Sequence, residues 1–328
     1  MKKWLFLIIG IACFLSCKEK QDKTISEQSL VNNLIAPKAC ITYEQEMIVP
    51  AEYFFFKSID FRAFVSKLQQ KSVQKNITAY IPFSDIACND EDIQRKFKDE
   101  FSIDEFQTML FDEEWILDTA QFIMKKKVDS YSLVRNYIRH NPYTNTDIPT
   151  KSIIAKYDFS KSGFSSPNDK NFKLLQSDVA YEVPLINETN PEFLENIQVK
   201  QVVKTIVEKA TCGNTPAYSF SFRDSLISKD LKEVTESLGK ETICYEEEES
   251  ETAETDSVCI DKEIDLREII GLAFIEDWYV NDSTMEILKE VKAIAPVRAY
   301  YHTTEDTQSE LVKSIPFVMY LKNHDKGK

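Results

Sequence analysis

The feature that most constrains this chain of 328 residues is a repeat within its own sequence. Residues 111–138 align with residues 274–301 at a constant shift of 163, without a gap, and eight of the 28 positions are identical. Repetition in the same order is typical of a repeated supersecondary unit, so we expect two versions of one unit. The identical pairs are Phe111/Phe274, Glu113/Glu276, Trp115/Trp278, Lys126/Lys289, Val128/Val291, Val134/Val297, Arg135/Arg298 and Tyr137/Tyr300.

Shorter matches extend the alignment on both sides. After a slip of one residue, His140 corresponds to His302, and Lys-Ser-Ile at 151–153 recurs at 313–315. Short matches that follow the same order in both halves over more than a hundred residues favour a genuine repeat over a chance alignment. The upstream matches are Ala79-Tyr80 with Ala217-Tyr218, Phe83-Ser84-Asp85 with Phe222-Arg223-Asp224, and Val49-Pro50 with Val183-Pro184.

The two units differ mainly by an acidic insertion. Residues 241–263 hold ten acidic residues and one lysine, and no apolar periodicity runs through them. This composition predicts a solvated loop. Calcium loops place their oxygen ligands around a turn that usually contains glycine, and neither feature is present, so a calcium site is disfavoured.

Periodicity predicts the α+β class: two tandem copies of a helix-strand-helix-strand-strand-strand unit with mostly antiparallel sheets. A charged helix is expected at 90–100 after Asn89 and at 229–238 after Ser228, since both residue types cap helices. The first helix of each unit is indicated by helical spacing of Phe61, Phe64, Val65 and Leu68, and of Val199, Val202, Val203 and Ile206. Strands are expected at 77–83, 217–222, 152–159 and 315–321, and in the segments that carry the repeated Trp and the repeated Arg and Tyr.

The N-terminus has the pattern of a targeting signal. Lys2 and Lys3 precede an apolar run at 4–15, which is too short to span a bilayer as a helix. The run ends in Phe-Leu-Ser before Cys17, which resembles the lipobox of bacterial lipoproteins, in which the cysteine is acylated. The alternative is an ordinary cleaved signal peptide with an incidental cysteine.

These patterns divide the chain into segments. The residues after Cys17 are polar and cannot bury enough apolar area to fold alone, so they are interpreted as a tether. The predicted segments are a signal peptide at 1–16, a tether at 17–46, unit 1 at 47–160, a linker at 161–180, and unit 2 at 181–322 with the insertion at 240–263.

Five cysteines remain once Cys13 leaves with the signal peptide and Cys17 takes lipid. An odd number means that at least one thiol is free or pairs between chains. Cys244 and Cys259 flank the acidic stretch and could close it by a disulfide in an oxidising compartment. The alternative, that all five are free, is equally compatible with the sequence.

Composition excludes several classes of protein. The chain has only 6 Gly and 3 His, and the glycines are too scattered for a phosphate-binding loop. No histidine or cysteine cluster has metal-ligand spacing, and no nucleophile motif occurs, so we expect no catalytic residue, cofactor or metal site. A net charge of −14 argues against nucleic acid as a partner.

The repeated residues have a structural and a functional interpretation. Alternate side chains of a strand share a face, so Glu113 and Trp115 point together, as do Arg135 and Tyr137. A carboxylate beside a strand that bears an arginine suggests a cross-strand charge pair under the Trp ring. The alternative places Trp115 and the equivalent Trp278 at the surface as anchors for a protein or glycan. The same choice applies to Arg298 and Tyr300 of the second unit.

The second unit resembles the GldN/PorN family. Residues 270–282, Ile-Gly-Leu-Ala-Phe-Ile-Glu-Asp-Trp-Tyr-Val-Asn-Asp, followed by Lys-Ala-Ile-Ala-Pro at 292–296, are similar to the family pattern Y-x-I-K-E-D-W-F-F-D followed by I-x-G-I-A-P. Residues 77–80 resemble its I-T-A-Y segment. The resemblance is strongest around Trp278 and weaker around Trp115. It implies a non-catalytic periplasmic component of the type IX secretion and gliding machinery, which forms a ring with a partner lipoprotein at the inner face of the outer membrane.

Two departures distinguish this chain from the family pattern. The characterised members are soluble and depend on a lipoprotein partner, whereas this chain carries its own lipidation signal and two units. We therefore expect an outer-membrane lipoprotein, on the periplasmic face rather than the cell surface, that acts as a scaffold or interaction component with protein partners. The alternative is an envelope lipoprotein that binds a glycan or peptide through the two tryptophans.

Overall fold

The computed structural model describes residues 38–47, 59–96, 102–185, 197–213, 215–219, 227–246, 257–303 and 309–321. Within these residues the molecule is mostly antiparallel sheet with few helices, which confirms the α+β class. The predicted signal peptide, Cys17 and most of the tether lie outside the described residues. No helix in the described part of the chain has the length and apolar content needed to cross a membrane.

Thirteen strands and four α-helices occur in the described residues. Every strand pair is antiparallel, and all strands except β8 and β9 belong to one eleven-stranded sheet. The strands are β1 (Lys38–Glu46), β2 (Phe106–Asp118), β3 (Ile123–Asn141), β4 (Thr146–Asp158), β5 (Phe172–Pro184), β6 (Ala217–Tyr218), β7 (Ser228–Lys229), β8 (Glu241–Glu246), β9 (Ser257–Lys262), β10 (Ile269–Asn281), β11 (Ile287–Thr303), β12 (Ser309–Ser314) and β13 (Val318–Tyr320). The helices are α1 (Phe61–Val73), α2 (Asp90–Gln94), α3 (Ile197–Thr211) and α4 (Leu231–Ser237).

Two long hairpins form the centre of the sheet. β2 pairs with β3 and β10 pairs with β11, and each hairpin gains an outer strand, β1 against β2 and β5 against β10. β2 and β10 alternate between buried and half-buried side chains along nearly their whole length. This period of two is what a strand shows when one of its faces meets the core. The hairpins meet where β3 pairs with β11, and buried side chains from both halves of the chain form one large core, beside a small separate cluster of Ala293, Ala295 and Val318.

The helices cover the core with the apolar faces expected from the sequence. Phe61, Phe64, Val65 and Leu68 of α1 are buried, and the side chain of Asp60 caps the helix by accepting from the amide of Ala63. The predicted cap at Asn89 is also confirmed. In the second half the cap is Asp230 rather than Ser228, because Asp230 and Glu233 form a reciprocal capping box.

Two strands lie in segments that the sequence analysis assigned to connections. Lys38–Glu46, assigned to the tether, is strand β1, and residues 172–180, assigned to the linker, are the first part of β5. Both assignments were wrong, and in β1 the reason is that a polar composition hid a period of two. In β1 the residues Ala39, Ile41 and Tyr43 are buried while the intervening side chains are exposed.

Other element boundaries also differ from the prediction. The strands expected at 77–83 and 217–222 reduce to an isolated bridge at Tyr80 and to the two-residue β6. The strand expected at 152–159 is β4, which is longer than predicted, and the strand expected at 315–321 is β13, which is shorter than predicted. The acidic insertion is not wholly a loop, because β8 and β9 pair at its two ends as a separate two-stranded sheet.

Candidate functional site

The repeated tryptophans lie inside the molecule. Trp115 on β2 and Trp278 on β10 are both 0% exposed. Each indole Nε1 donates a hydrogen bond to the glutamate two residues earlier, over 2.7 Å to Glu113 and 2.9 Å to Glu276. The glutamate and the tryptophan share a face because they stand two positions apart on a strand. The local pair therefore follows directly from the repeated Glu-x-Trp sequence.

The carboxylate of Glu113 is paired with a lysine from the other half of the chain. Nζ of Lys289 on β11 lies 2.7 Å from Oε1 of Glu113, and both side chains are completely buried. The hydroxyl of Tyr43 on β1 donates to the same Oε1 over 2.9 Å and accepts from Lys289 over 2.8 Å. The buried charge is thus neutralised and hydrogen-bonded, as buried ions require.

Glu276 has the matching environment. Nζ of Lys126 on β3 lies 2.7 Å from its Oε1, again with both side chains completely buried, although this contact lacks hydrogen-bond geometry. Tyr181 on β5 donates to Oε2 of Glu276 over 2.7 Å and accepts from Lys126 over 3.1 Å. The hydroxyls of Tyr43 and Tyr181 lie 3.2 Å apart, which joins the two environments into one network.

Aromatic rings enclose both ammonium groups. Nζ of Lys126 lies 3.1 Å from the ring centroid of Phe274, and Nζ of Lys289 lies 3.5 Å from that of Phe111. The ring faces attract the cations where water is excluded. Trp115 meets Phe274 edge to face at 5.1 Å between centroids, and Phe111 meets Trp278 at 5.6 Å. We call these eight side chains, Tyr43, Phe111, Glu113, Trp115 and Tyr181, Phe274, Glu276, Trp278, together with Lys126 and Lys289, the central network.

Electrostatics in the central network favour charged Glu113. Burial alone would raise its pKa, but Lys289 and Lys126 outweigh burial, and the pKa of Glu113 is lowered. Burial lowers the pKa of Lys289 to about 8, against the opposing effect of Glu113. Burial, followed by the nearby carboxylates, raises the pKa of Tyr43 and Tyr181 well above the usual value. Both phenols therefore stay neutral and donate hydrogen bonds.

This geometry corrects two interpretations of the repeated residues. Ligand capture by Trp115 and Trp278 is wrong, because neither ring has any exposed surface. The expected pairing of Glu113 with Arg135 is also wrong. Arg135 lies opposite Phe106, seven residues from Glu113 and close to the other end of β2, so it is out of reach.

The two arginines have their own partners. Nε of Arg135 lies 2.5 Å from Oε2 of Glu105, and its guanidinium stacks on Tyr137 at 3.9 Å from the ring centroid. The second copy is similar, with the guanidinium of Arg298 2.7 Å from Glu268 and 4.1 Å from the ring centroid of Tyr300. These contacts lie at the distal ends of the hairpins and hold the short 3-10 turns at 103–105 and 266–268 against β3 and β11.

Arg298 also requires a glycine. Gly239 has φ +91°, and a Cβ at that position would lie 2.2 Å from Nη2 of Arg298. Nη1 of Arg298 donates to the carbonyl of Ser237 over 3.0 Å. Gly239 thus ends α4 in the left-handed region and leaves room for the guanidinium.

The remaining candidates have more limited roles. His140 is exposed, and its Nδ1 lies 3.0 Å from Asp147 across the β3–β4 ladder. The side chain of His302 lies outside the described residues. Cys259 is disulfide-bonded, and Cys244 stands directly opposite it in the β8–β9 ladder, while Cys40, Cys88 and Cys212 are free. No group of three or more His, Cys, Asp or Glu side chains in the described part is placed to hold a metal ion.

Sequence reasoning missed the partners in the central network. Lys126 and Lys289 were found as identical positions, but nothing in the alignment indicated that each would pair across to the other half. Tyr43 and Tyr181 were not matched at all. Their spacing would have revealed the match, because Tyr43 and Tyr181 are 138 positions apart, and the corresponding apolar residues of α1 and α3 are also 138 positions apart.

Comparison with known proteins identifies the second half. The family model described as "Gliding motility associated protein GldN" matches residues 173–323. No curated protein is similar enough to the chain to be matched. The matched range begins in β5 and contains β10, β11 and the half of the central network that includes Trp278, Glu276 and Lys289. Residues 173–323 therefore form a GldN-family domain within this chain.

Proposed function

We propose that this chain is a non-catalytic, lipid-anchored outer-membrane scaffold of the gliding motility and type IX secretion machinery. The observation that carries the proposal is the GldN-family domain at residues 173–323. Members of this family are components of a machine rather than enzymes, so protein partners in the envelope are expected.

The central network supports a structural role. Its two lysine–glutamate pairs are completely buried and every acidic member is already paired, so no charged group is free to act on a substrate. Replacement of such a network by apolar side chains is often neutral for stability, and buried charges are kept in some proteins because they specify one arrangement of the elements. A scaffold needs one fixed arrangement, and the network would supply it. The alternative of a glycan- or peptide-binding lipoprotein rested on exposed tryptophans and has lost that support.

The lipid anchor is proposed from the N-terminal sequence. A charged segment, a short apolar run and a small residue before Cys17 match the lipoprotein pattern. Acyl chains on Cys17 would hold the folded part at the membrane through the tether, most consistently on the periplasmic face where the GldN machinery operates.

The tandem organisation is proposed from the sequence repeat together with paired contacts. The Glu–Trp hydrogen bond, the Arg–Glu ion pair and the Arg–Tyr stack each occur twice at positions 163 residues apart. The turns of the two hairpins each hold a buried non-glycine residue at positive φ, Phe122 at 52° and Met285 at 62°. These coincidences support two versions of one unit.

Crosslinking followed by co-purification from the native membrane tests the proposed role. The tagged full-length chain, crosslinked in intact cells, should recover gliding and secretion components. A tagged, abundant outer-membrane lipoprotein unrelated to the GldN family is the control for chance proximity. Recovery of the same proteins with the chain and with the control would contradict the proposal.

A further inference from the structure

The ion pairs of the central network cross between the two halves of the chain. Lys289 pairs with Glu113, and Lys126 pairs with Glu276, each over 2.7 Å. Neither lysine pairs with the glutamate of its own hairpin. Each half therefore supplies the cation that the other half needs, and the exchange is reciprocal.

The strand contact between the halves has the same reciprocity. β3 and β11 run antiparallel, with Lys125 opposite Glu290, which places Lys126 opposite Lys289 in the same register. Lys126 and Lys289 are equivalent positions of the repeat, so a residue faces its own counterpart. This is the property of a twofold, isologous interface, in which one surface patch meets a copy of itself.

The aromatic contacts obey the same rule. Tyr43 stacks on its counterpart Tyr181 with ring centroids 6.2 Å apart and planes 15° apart. The edge-to-face contact of Trp115 with Phe274 is matched by that of Trp278 with Phe111. Nine-tenths or more of each of these side chains is buried, so the twofold contact is the core of the molecule rather than a surface contact.

We infer that the chain is a fused dimer: residues 38–159 are a built-in partner for the GldN-family half at residues 172–321, and the face that meets them is a docking surface for a second unit of the same fold. A half on its own would leave a glutamate and a tryptophan facing water without the lysine that completes them. Exposure of the aromatic side chains that are buried between the halves loses their hydrophobic stabilisation, so neither half forms a stable core alone.

The inference rests on the proposed tandem organisation and not on the secretion role. Because the twofold face is already occupied within the chain, envelope partners must dock on other surfaces.

Cleavage of the folded full-length chain between its halves tests the inference. The connection between β4 and β5 is largely exposed, and a Cβ added at Gly163 would meet nothing within 4 Å, so a protease site can be placed at 163–166. Trp115 and Trp278 are the only tryptophans after the signal peptide, so their fluorescence reports on this interface. After cleavage the two fragments should elute together on size exclusion, with unchanged emission and no gain in acrylamide quenching.

A charge-reversal variant makes the test specific. In the cleaved protein, Lys126→Glu places a second carboxylate beside Glu276 and should separate the fragments or unfold them, with a red shift of tryptophan emission. Lys161→Glu, in the exposed connection, is the matched control and should leave the fragments together. Separation of the cleaved wild-type fragments with loss of sheet in both supports mutual dependence.

If the wild-type fragments separate and each keeps its sheet by circular dichroism, the halves are independent domains and the inference is wrong. Normal motility of a deletion strain would remove the secretion role and leave this result unaffected, so the two failures can be told apart.

Discussion

Removal of one lysine from the central network should destabilise the protein far more than removal of a surface lysine. In Lys289→Met the carboxylate of Glu113 stays buried and loses its ion-pair partner, which leaves the neutral donors Trp115 and Tyr43 and the weaker attraction of Lys126. At 2.7 Å and an effective dielectric constant of about 20, the lost attraction is about 6 kcal/mol before desolvation is counted. Measured losses for one partner of a buried pair are about 3–5 kcal/mol, which is the expected effect here.

The companion variants form a double-mutant cycle. Glu113→Gln keeps an acceptor for Trp115 and Tyr43. It should lower the free energy of unfolding by less than Lys289→Met does, because Lys289, with its pKa already near 8, can lose its proton. The double variant Glu113→Gln/Lys289→Met buries no charge from this pair, and its free energy of unfolding should fall by about 2 kcal/mol or less. The coupling energy between the two positions is therefore expected to be at least about 1–3 kcal/mol.

Urea unfolding followed by tryptophan fluorescence and circular dichroism measures these values. Lys313→Met is the matched control, because Lys313 on β12 is more than half exposed and pairs with Glu182 at the surface, and it should cost about 1 kcal/mol or less. Lys126→Met should match Lys289→Met to within about 1 kcal/mol, since the two positions are equivalent in the network. A cost for Lys289→Met no greater than that of the control, or strict additivity in the cycle, would refute the reasoning.

Four further predictions concern titration, packing, lipidation and the insertion. Burial lowers the pKa of Lys289 from 10.5 to about 8, so between these pH values the unfolded state binds more protons than the folded state. The free energy of unfolding of wild type should therefore rise from pH 8 to pH 10 relative to that of Lys289→Met. A constant difference between the two proteins in urea unfolding over that range would contradict this. Gly239→Ala should lower the free energy of unfolding by at least 1 kcal/mol, through positive φ and the clash with Arg298, whereas Gly163→Ala should be near neutral in the same assay. Metabolic labelling with a fatty acid should mark wild type and not Cys17→Ala, and labelling that persists would overturn the lipobox assignment. Peptide mapping without reduction should join Cys244 to Cys259, and reduction should cost about 3 kcal/mol by the chain-entropy model; a free Cys244 thiol would exclude the pairing.

The sequence predicted those parts of the fold that local pattern determines. Helical spacing located α1 and α3, and the repeated Trp and Arg-Tyr segments were correctly assigned to paired strands. β1 and β5 were missed because each is an outer strand with one polar face, so its composition resembles a connection. In β1 every second residue, such as Tyr43, is buried, whereas in β5 this alternation is confined to residues 179–183 around Tyr181.

The partners in the central network could not be predicted for a different reason. Glu113 and Lys289 are 176 positions apart, and their contact depends on how two hairpins approach, which no local pattern encodes. The alignment indicated that the lysines matter but offered Arg135 as the nearest plausible cation. Only the register, which puts Arg135 opposite Phe106, excludes it.

Deletion of the gene, with measurement of gliding and of type IX secretion, tests the central claim most directly. The account predicts that the deletion strain loses spreading motility and retains type IX cargo inside the cell. Wild type supplied in trans should restore both, whereas Lys289→Met, which lacks one cation of the central network, should restore them poorly. Normal spreading and normal secretion in the deletion strain would contradict the proposed function.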